Sequence, residues 1–125
     1  MKHFLINITI ALSLFFQQQI DVAALKKDPV LIQYKKIMDD IREGQISHKY
    51  VLPNDPQVMK SFGSNPTKEN LKKLLNEKGM KNANEYVDKI FLQTKLMFDF
   101  LKKHPELSRI DANKKQEIIR QLLFD

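Results

Sequence analysis

Ile90–Leu101, IFLQTKLMFDFL, sets eight large apolar residues among four polar ones. One side of a helix cannot hold all eight, so the fold depends on what covers the remainder. At 100° per residue, Ala83, Tyr86, Val87, Ile90, Phe91, Met97, Phe98 and Leu101 fall within roughly 140° of one another, a stripe wide enough for a main core face. Leu92, Leu96 and Phe100 lie off that stripe. They form a second line spaced by four, bordered by Glu85, Asp88, Lys89, Asp99 and Lys103. Left in water, each would forgo roughly 1.5 to 3 kcal/mol. Three covers fit: neighbouring helices of the same chain, a second copy or protein partner, or a lipid or other apolar ligand. Leu92, Leu96 and Phe100 are therefore the candidate interaction patch. As an interface, the line predicts that Leu96→Lys weakens association and spares the helix; as core, that the substitution unfolds the protein.

The punctuation on either side of this segment is that of capped helices. Asn82 followed by Glu85 has the spacing of a capping box that opens the long helix, and Lys102, Lys103 and His104 precede Pro105 at its end. Pro29, Pro56 and Pro66 each open a helix-like run, and Gly44, Gly63 and Gly79 each follow one. Asp28 caps a first helix with Leu31, Tyr34, Ile37, Met38 and Ile41 on one face, which Gly44 is expected to end. Residues 45–53, QISHKYVLP, form an extended connector over one end of the core. Asp55–Pro56 opens a short helix, QVMKSF, and Asn65–Pro66–Thr67 starts another with Leu71, Leu74 and Leu75 inward. Gly79 suits a left-handed stop, with Met80 contacting Leu75 as in a Schellman motif. Asp111 caps a last helix carrying Ile118, Ile119, Leu122 and Leu123. The expected class is all-α, a small bundle of four to five helices after an N-terminal signal segment.

That segment, residues 1–24, has Lys2 and His3 at the front, an apolar run from Phe4 to Phe16, and small residues ending at Ala24. The layout is that of a cleaved secretory signal, which leaves residues 25–125 as a single helical domain. Thirteen helical residues would reach only about 20 Å, short of a bilayer core of about 30 Å. The chain has no cysteine, so disulfides and a lipid-modified cysteine are excluded, and export without disulfides points to a bacterial envelope, periplasmic or extracellular.

The net charge is +6, but only Arg42, Arg109 and Arg120 are arginines. Dispersed lysines lack the planar fork that grips phosphate or base edges, so no nucleic-acid site is expected. The lysine pairs at 26–27, 35–36, 72–73, 102–103 and 114–115 have the spread of solvated helix faces; an anionic membrane surface is the less favoured partner. His48 and His104 have no second ligand at helical spacing, and Ser47 beside His48 points the opposite way in an extended segment. Asp39, Asp40 and Glu43 form an acidic cluster balanced, on this pattern, by Lys35 and Lys36. No catalytic residue, metal site or cofactor is expected. The expected function is non-enzymatic: an exported helical protein that binds a protein partner or a second copy of itself. The alternative is a lysine-rimmed cleft for an apolar ligand or the envelope surface.

Overall fold

The computed structural model describes residues 20–124, and all regular structure in them is helical. The helices are α1 (Val22–Leu25), α2 (Pro29–Ile46), α3 (Pro56–Gly63), α4 (Lys68–Glu77), α5 (Ala83–Lys103) and α6 (Ala112–Phe124), with a 3₁₀ turn at Pro105–Ser108 before α6. The all-α class expected from the pattern is what the chain adopts. Five of the helices are those expected. The addition is α1, which Asp21 caps by accepting from the Ala24 N–H, and which crosses the Ala24–Leu25 junction. The Lys2–Phe16 part of the expected signal lies outside the described residues.

Side-chain caps start most of the helices where the sequence places them. Asp28 accepts from the Val30 N–H at 2.8 Å, Asp55 from Gln57 at 2.8 Å, Thr67 from Asn70 at 3.1 Å and Asp111 from Lys114 at 2.9 Å. Each satisfies one of the N–H groups that a first turn leaves without a carbonyl partner. The stop of α4 is also as expected. Gly79 adopts φ +81°, its N–H reaches the Asn76 carbonyl and the Met80 N–H reaches the Leu75 carbonyl, both at 3.0 Å, which is the paired bonding of a Schellman motif.

Gly44 serves differently from expectation: it lies inside α2, and the left-handed residue beyond that helix is His48 at φ 63°. Gly63 is the last residue of α3, where the short helix was expected to stop, and Asn65, at φ 55°, makes the left-handed turn beyond it. Asn is among the few L residues that enter this region at modest cost, which is why the turn needs no glycine. The capping box is not formed either. Asn82 sits at φ 57° and donates its side-chain amide to the Lys49 carbonyl at 3.1 Å, while Glu85 is engaged by Lys49 and Tyr50.

The chain divides into two compact units. Gln33–Phe98 is one. Its core joins Val58 of α3, Leu71 and Leu75 of α4, Ala83, Tyr86 and Val87 of α5, and Tyr50 and Met80 from the connections. Ile41, Leu52, Phe62, Leu74, Ile90 and Phe91 pack against it, half-buried. The connector thus covers a core as expected, but its anchor is a specific residue. The Tyr50 ring lies directly over the backbone of Gly44, tilts against Tyr86 at 5.4 Å between centroids, and donates its hydroxyl to Glu85 at 2.8 Å.

The other unit comprises the described residues up to Ile32 and from Asp99 onward. Within it α1 packs on α6, and Leu25, Leu31, Phe100, Leu107, Ile118 and Leu122 are buried. Ile118 and Leu122, four residues apart, are the inward pair of the apolar edge expected on α6, while Ile119 and Leu123 are half-buried. Among the described residues, no helix is long and apolar enough to cross a membrane.

Candidate functional site

Three places bring chemistry-bearing side chains together. The first is on α5. Leu96 is 6% exposed and Phe100 1%, so the chain itself covers them; Leu92 is half-buried. The central-helix alternative accounts for these positions, and an exposed Leu92–Leu96–Phe100 patch does not form. The large residue that does face water on this helix is Phe98, at 69% exposure, which the helical stripe had assigned to the core. The cause is a change of buried side along α5. Ala83, Tyr86 and Val87 are buried over the first turns, whereas Leu96 and Phe100, roughly 120° away around the axis, are buried over the last. Phe98 falls on the side that has by then turned outward.

Beside Phe98 a cleft of about 260 Å³ is lined by Tyr34 of α2 and by Gln93, Thr94, Met97 and Phe98 of α5. Thr94, Met97 and Phe98 share a helical face by their three- and four-residue spacing. The Thr94 hydroxyl donates to the Ile90 carbonyl of its own helix at 3.1 Å, which turns its donor away from the cleft. Aromatic and thioether groups thus form much of the surface, with Gln93 as the polar group beside them.

The second place is a polar cleft of about 390 Å³ lined by Asp40, Glu43, Gly44, Ser47, Lys49, Tyr50 and Lys89. Glu85 accepts from Lys49 at 2.9 Å and from the Tyr50 hydroxyl, and Lys89 reaches Asp40 at 3.4 Å. Those donors, Lys49 foremost, hold the Glu85 carboxyl below its ordinary value. Burial, reinforced by the bond to Glu85, pushes the Tyr50 hydroxyl up. The acidic cluster is consequently balanced by Arg42, 2.9 Å from Asp39, and by Lys89 of α5, in place of the expected Lys35 and Lys36. Ser47 donates to the Gly44 carbonyl at 3.3 Å and His48 is exposed, so the two make no nucleophile and base pair.

The third place is around His104, just beyond the end of α5. Its Nε2 lies 2.6 Å from Oδ2 of the buried Asp28, and its Nδ1 lies 3.3 Å from Oε1 of Glu106. Lys103 Nζ reaches the same Asp28 oxygen at 3.0 Å, and the Phe100 ring stands 4.8 Å from the imidazole. With a carboxylate against each ring nitrogen, neither nitrogen is open to take a proton from a nucleophile. Burial alone would raise the Asp28 pKa. The bonds from His104, Lys103 and the Val30 N–H outweigh it and hold the carboxyl at about 2.

A carboxyl depressed on folding stabilises the native state above its unfolded pKa, and that contribution is lost as pH falls through the folded value. Asp28 should therefore contribute about 2 kcal/mol that is complete above roughly pH 5 and disappears toward pH 2. Urea unfolding between pH 6 and pH 2.5 measures it, and Asp28→Asn, which retains a capping oxygen, should flatten the acid limb. No local pattern announces this cluster, because Asp28 and His104 lie 76 residues apart in the chain. The only signals are the cap at Asp28 and Pro105, which releases His104 from α5.

Among the described residues, no three His, Cys, Asp or Glu side chains gather to hold a metal ion. No family model, curated protein or solved structure matches this chain.

Proposed function

We propose that this protein is exported and acts by binding protein, without catalysing a reaction, and that it docks through the Phe98 face of α5. The layout of residues 1–24, basic front, apolar run and small residues at the end, supports export. The observation that carries the docking surface is Phe98 itself, a phenyl ring 69% exposed at the edge of a cleft walled by Tyr34 and Met97. Aromatic residues and methionine are enriched where proteins meet, and burying such a ring contributes roughly 1.5 to 3 kcal/mol. The cleft, at about 260 Å³, is smaller than the roughly 300 to 1,000 Å³ that small-molecule sites occupy. It is sized for a protruding side chain of a partner. The lysine-rimmed alternative has less behind it, since Lys49, Lys72, Lys89 and Lys103 are each paired with a carboxylate of the same chain.

The first partner to test is a second copy. Light scattering on the full chain at rising concentration should give a mass above the monomer, and Phe98→Glu should return it to the monomer. Helical signal and urea midpoint should stay within about 0.5 kcal/mol of wild type, as for other exposed positions. A mass that stays monomeric throughout, or a dimer indifferent to Phe98→Glu, overturns self-association through this face.

A further inference from the structure

Within the Gln33–Phe98 unit, α3 packs against α4 and the two helices border a cleft of about 530 Å³. Each gives it one stripe, and the stripes have the same spacing. From α3 come Gln57, Lys60, Ser61 and, one residue past its end, Ser64; from α4 come Asn70, Lys73, Leu74 and Glu77. Positions i, i+3, i+4 and i+7 make a single helical face, and packed helices ordinarily fill such faces with apolar side chains. Val58, Leu71 and Leu75 do so on the adjacent, core-facing sides of the same helices. The cleft has only Leu74.

Its polar groups are uncommitted. Among the described residues, the ammonium groups of Lys60 and Lys73 and the carboxylate of Glu77 have no ion pair, whereas neighbouring Lys72 and Lys78 reach Asp88 and Asp55 at 2.8 and 3.1 Å. The side-chain amides of Gln57 and Asn70 and the Ser61 hydroxyl likewise bond no described group. The Ser64 hydroxyl donates to the Ser61 carbonyl at 2.9 Å, which leaves its lone pairs to accept. We propose that this cleft is a binding site for a small acidic sugar, a ligand with one carboxylate among several hydroxyls.

Charge selects the carboxylate. Two ammonium groups against the Glu77 carboxylate leave one positive charge, which a single ligand carboxylate neutralises. Lysine meets an anion as a point charge on a flexible stem, so Lys60 and Lys73 can close on it from α3 and α4. The remaining side chains select hydroxyls. The amides and serines both donate and accept while Glu77 only accepts, a set that matches the paired donors and acceptors of adjacent sugar hydroxyls. Leu74 offers a surface to the C–H face of the ring. The volume lies within the roughly 300 to 1,000 Å³ of small-molecule sites, but an apolar ligand would need mainly hydrophobic and aromatic walls. No residue is shared with the Phe98 cleft, so the site stands whether or not that face docks a protein.

Galacturonate titrated into the full chain at low ionic strength, where exposed charges are least screened, should move amide magnetic-resonance signals of residues 57–64 and 70–77 to saturation. Galactose keeps the hydroxyls without the carboxylate, and acetate keeps the carboxylate without the hydroxyls. Each should bind roughly tenfold or more weakly than galacturonate, the loss expected when hydrogen bonds to one part of the ligand go unmade. Lys60→Gln and Lys73→Gln, at exposed positions expected to fold normally, should each weaken galacturonate binding by about tenfold. Lys81→Gln, exposed and outside the cleft, should leave it unchanged. No saturable shift, galactose or acetate binding as tightly as galacturonate, or an affinity indifferent to both cleft-lysine substitutions overturns the site.

Discussion

Leu96→Lys is expected to unfold the protein. Leu96 is 6% exposed, so the substitution forfeits roughly 1.5 to 3 kcal/mol of apolar burial and places an ammonium group where the chain has closed over it. Reopening enough structure to hydrate that charge adds a further cost, and a total of about 4 kcal/mol or more is the order expected for a charge set in a core. A small domain has roughly 5 to 15 kcal/mol in all. Circular dichroism at 25 °C should show most of the helical signal lost, or the thermal midpoint lowered by well over 10 °C. Phe98→Lys, two residues away and 69% exposed, should leave the midpoint nearly unchanged. A folded Leu96→Lys variant that has merely stopped associating would return Leu96 to the interface and remove it from the core.

Gly44→Ala should destabilise the protein by about 2 kcal/mol, against the sign that helix propensity alone predicts. Inside a helix, alanine is better than glycine by roughly 0.5 to 1 kcal/mol. Here a Cβ on residue 44 would overlap Cδ2 and Cε2 of Tyr50 and stand 3.1 Å from Cγ. The ring cannot swing aside cheaply, because Tyr86 supports one side and the hydroxyl is bonded to Glu85. Forcing extra carbon into such a site costs roughly 1 to 3 kcal/mol, and ejecting the ring instead loses its burial. Tyr50→Ala should itself be destabilising, yet in that background Gly44→Ala should turn neutral or mildly stabilising. The double-mutant cycle, measured by urea unfolding, isolates the contact. Equal cost of Gly44→Ala in both backgrounds would show that the ring is not the obstacle.

Local chemistry was legible wherever a residue's neighbours in sequence are also its neighbours in space. The caps at Asp28, Asp55, Thr67 and Asp111 and the Gly79–Met80 stop act within five residues, and the structure has each of them. The capping box at Asn82 satisfied the same pattern and failed, because Lys49, Tyr50 and the Lys49 carbonyl, more than thirty residues away, claim both of its side chains. Gly44 was misassigned for a related reason. Its absent side chain answers to Tyr50 packing across it, and a helix-stop rule sees only the bonds along the chain.

The sequence by itself determined the all-α class, the position of the five main helices and most of their starts, since helical periodicity, proline and side-chain caps are properties of short segments. Tertiary structure decided which residues of Ile90–Leu101 are covered. Helical periodicity reports that Leu92, Leu96 and Phe100 share a line and that Phe98 belongs to another, and it assumes one buried side per helix. α5 buries Ala83, Tyr86 and Val87 over its first turns and Leu96 and Phe100 over its last, so its buried side changes along its length. The same long-range packing set the partner of His104. The contact with Asp28 depends on two helix ends meeting, and hydrogen-bond chemistry acts only once they have.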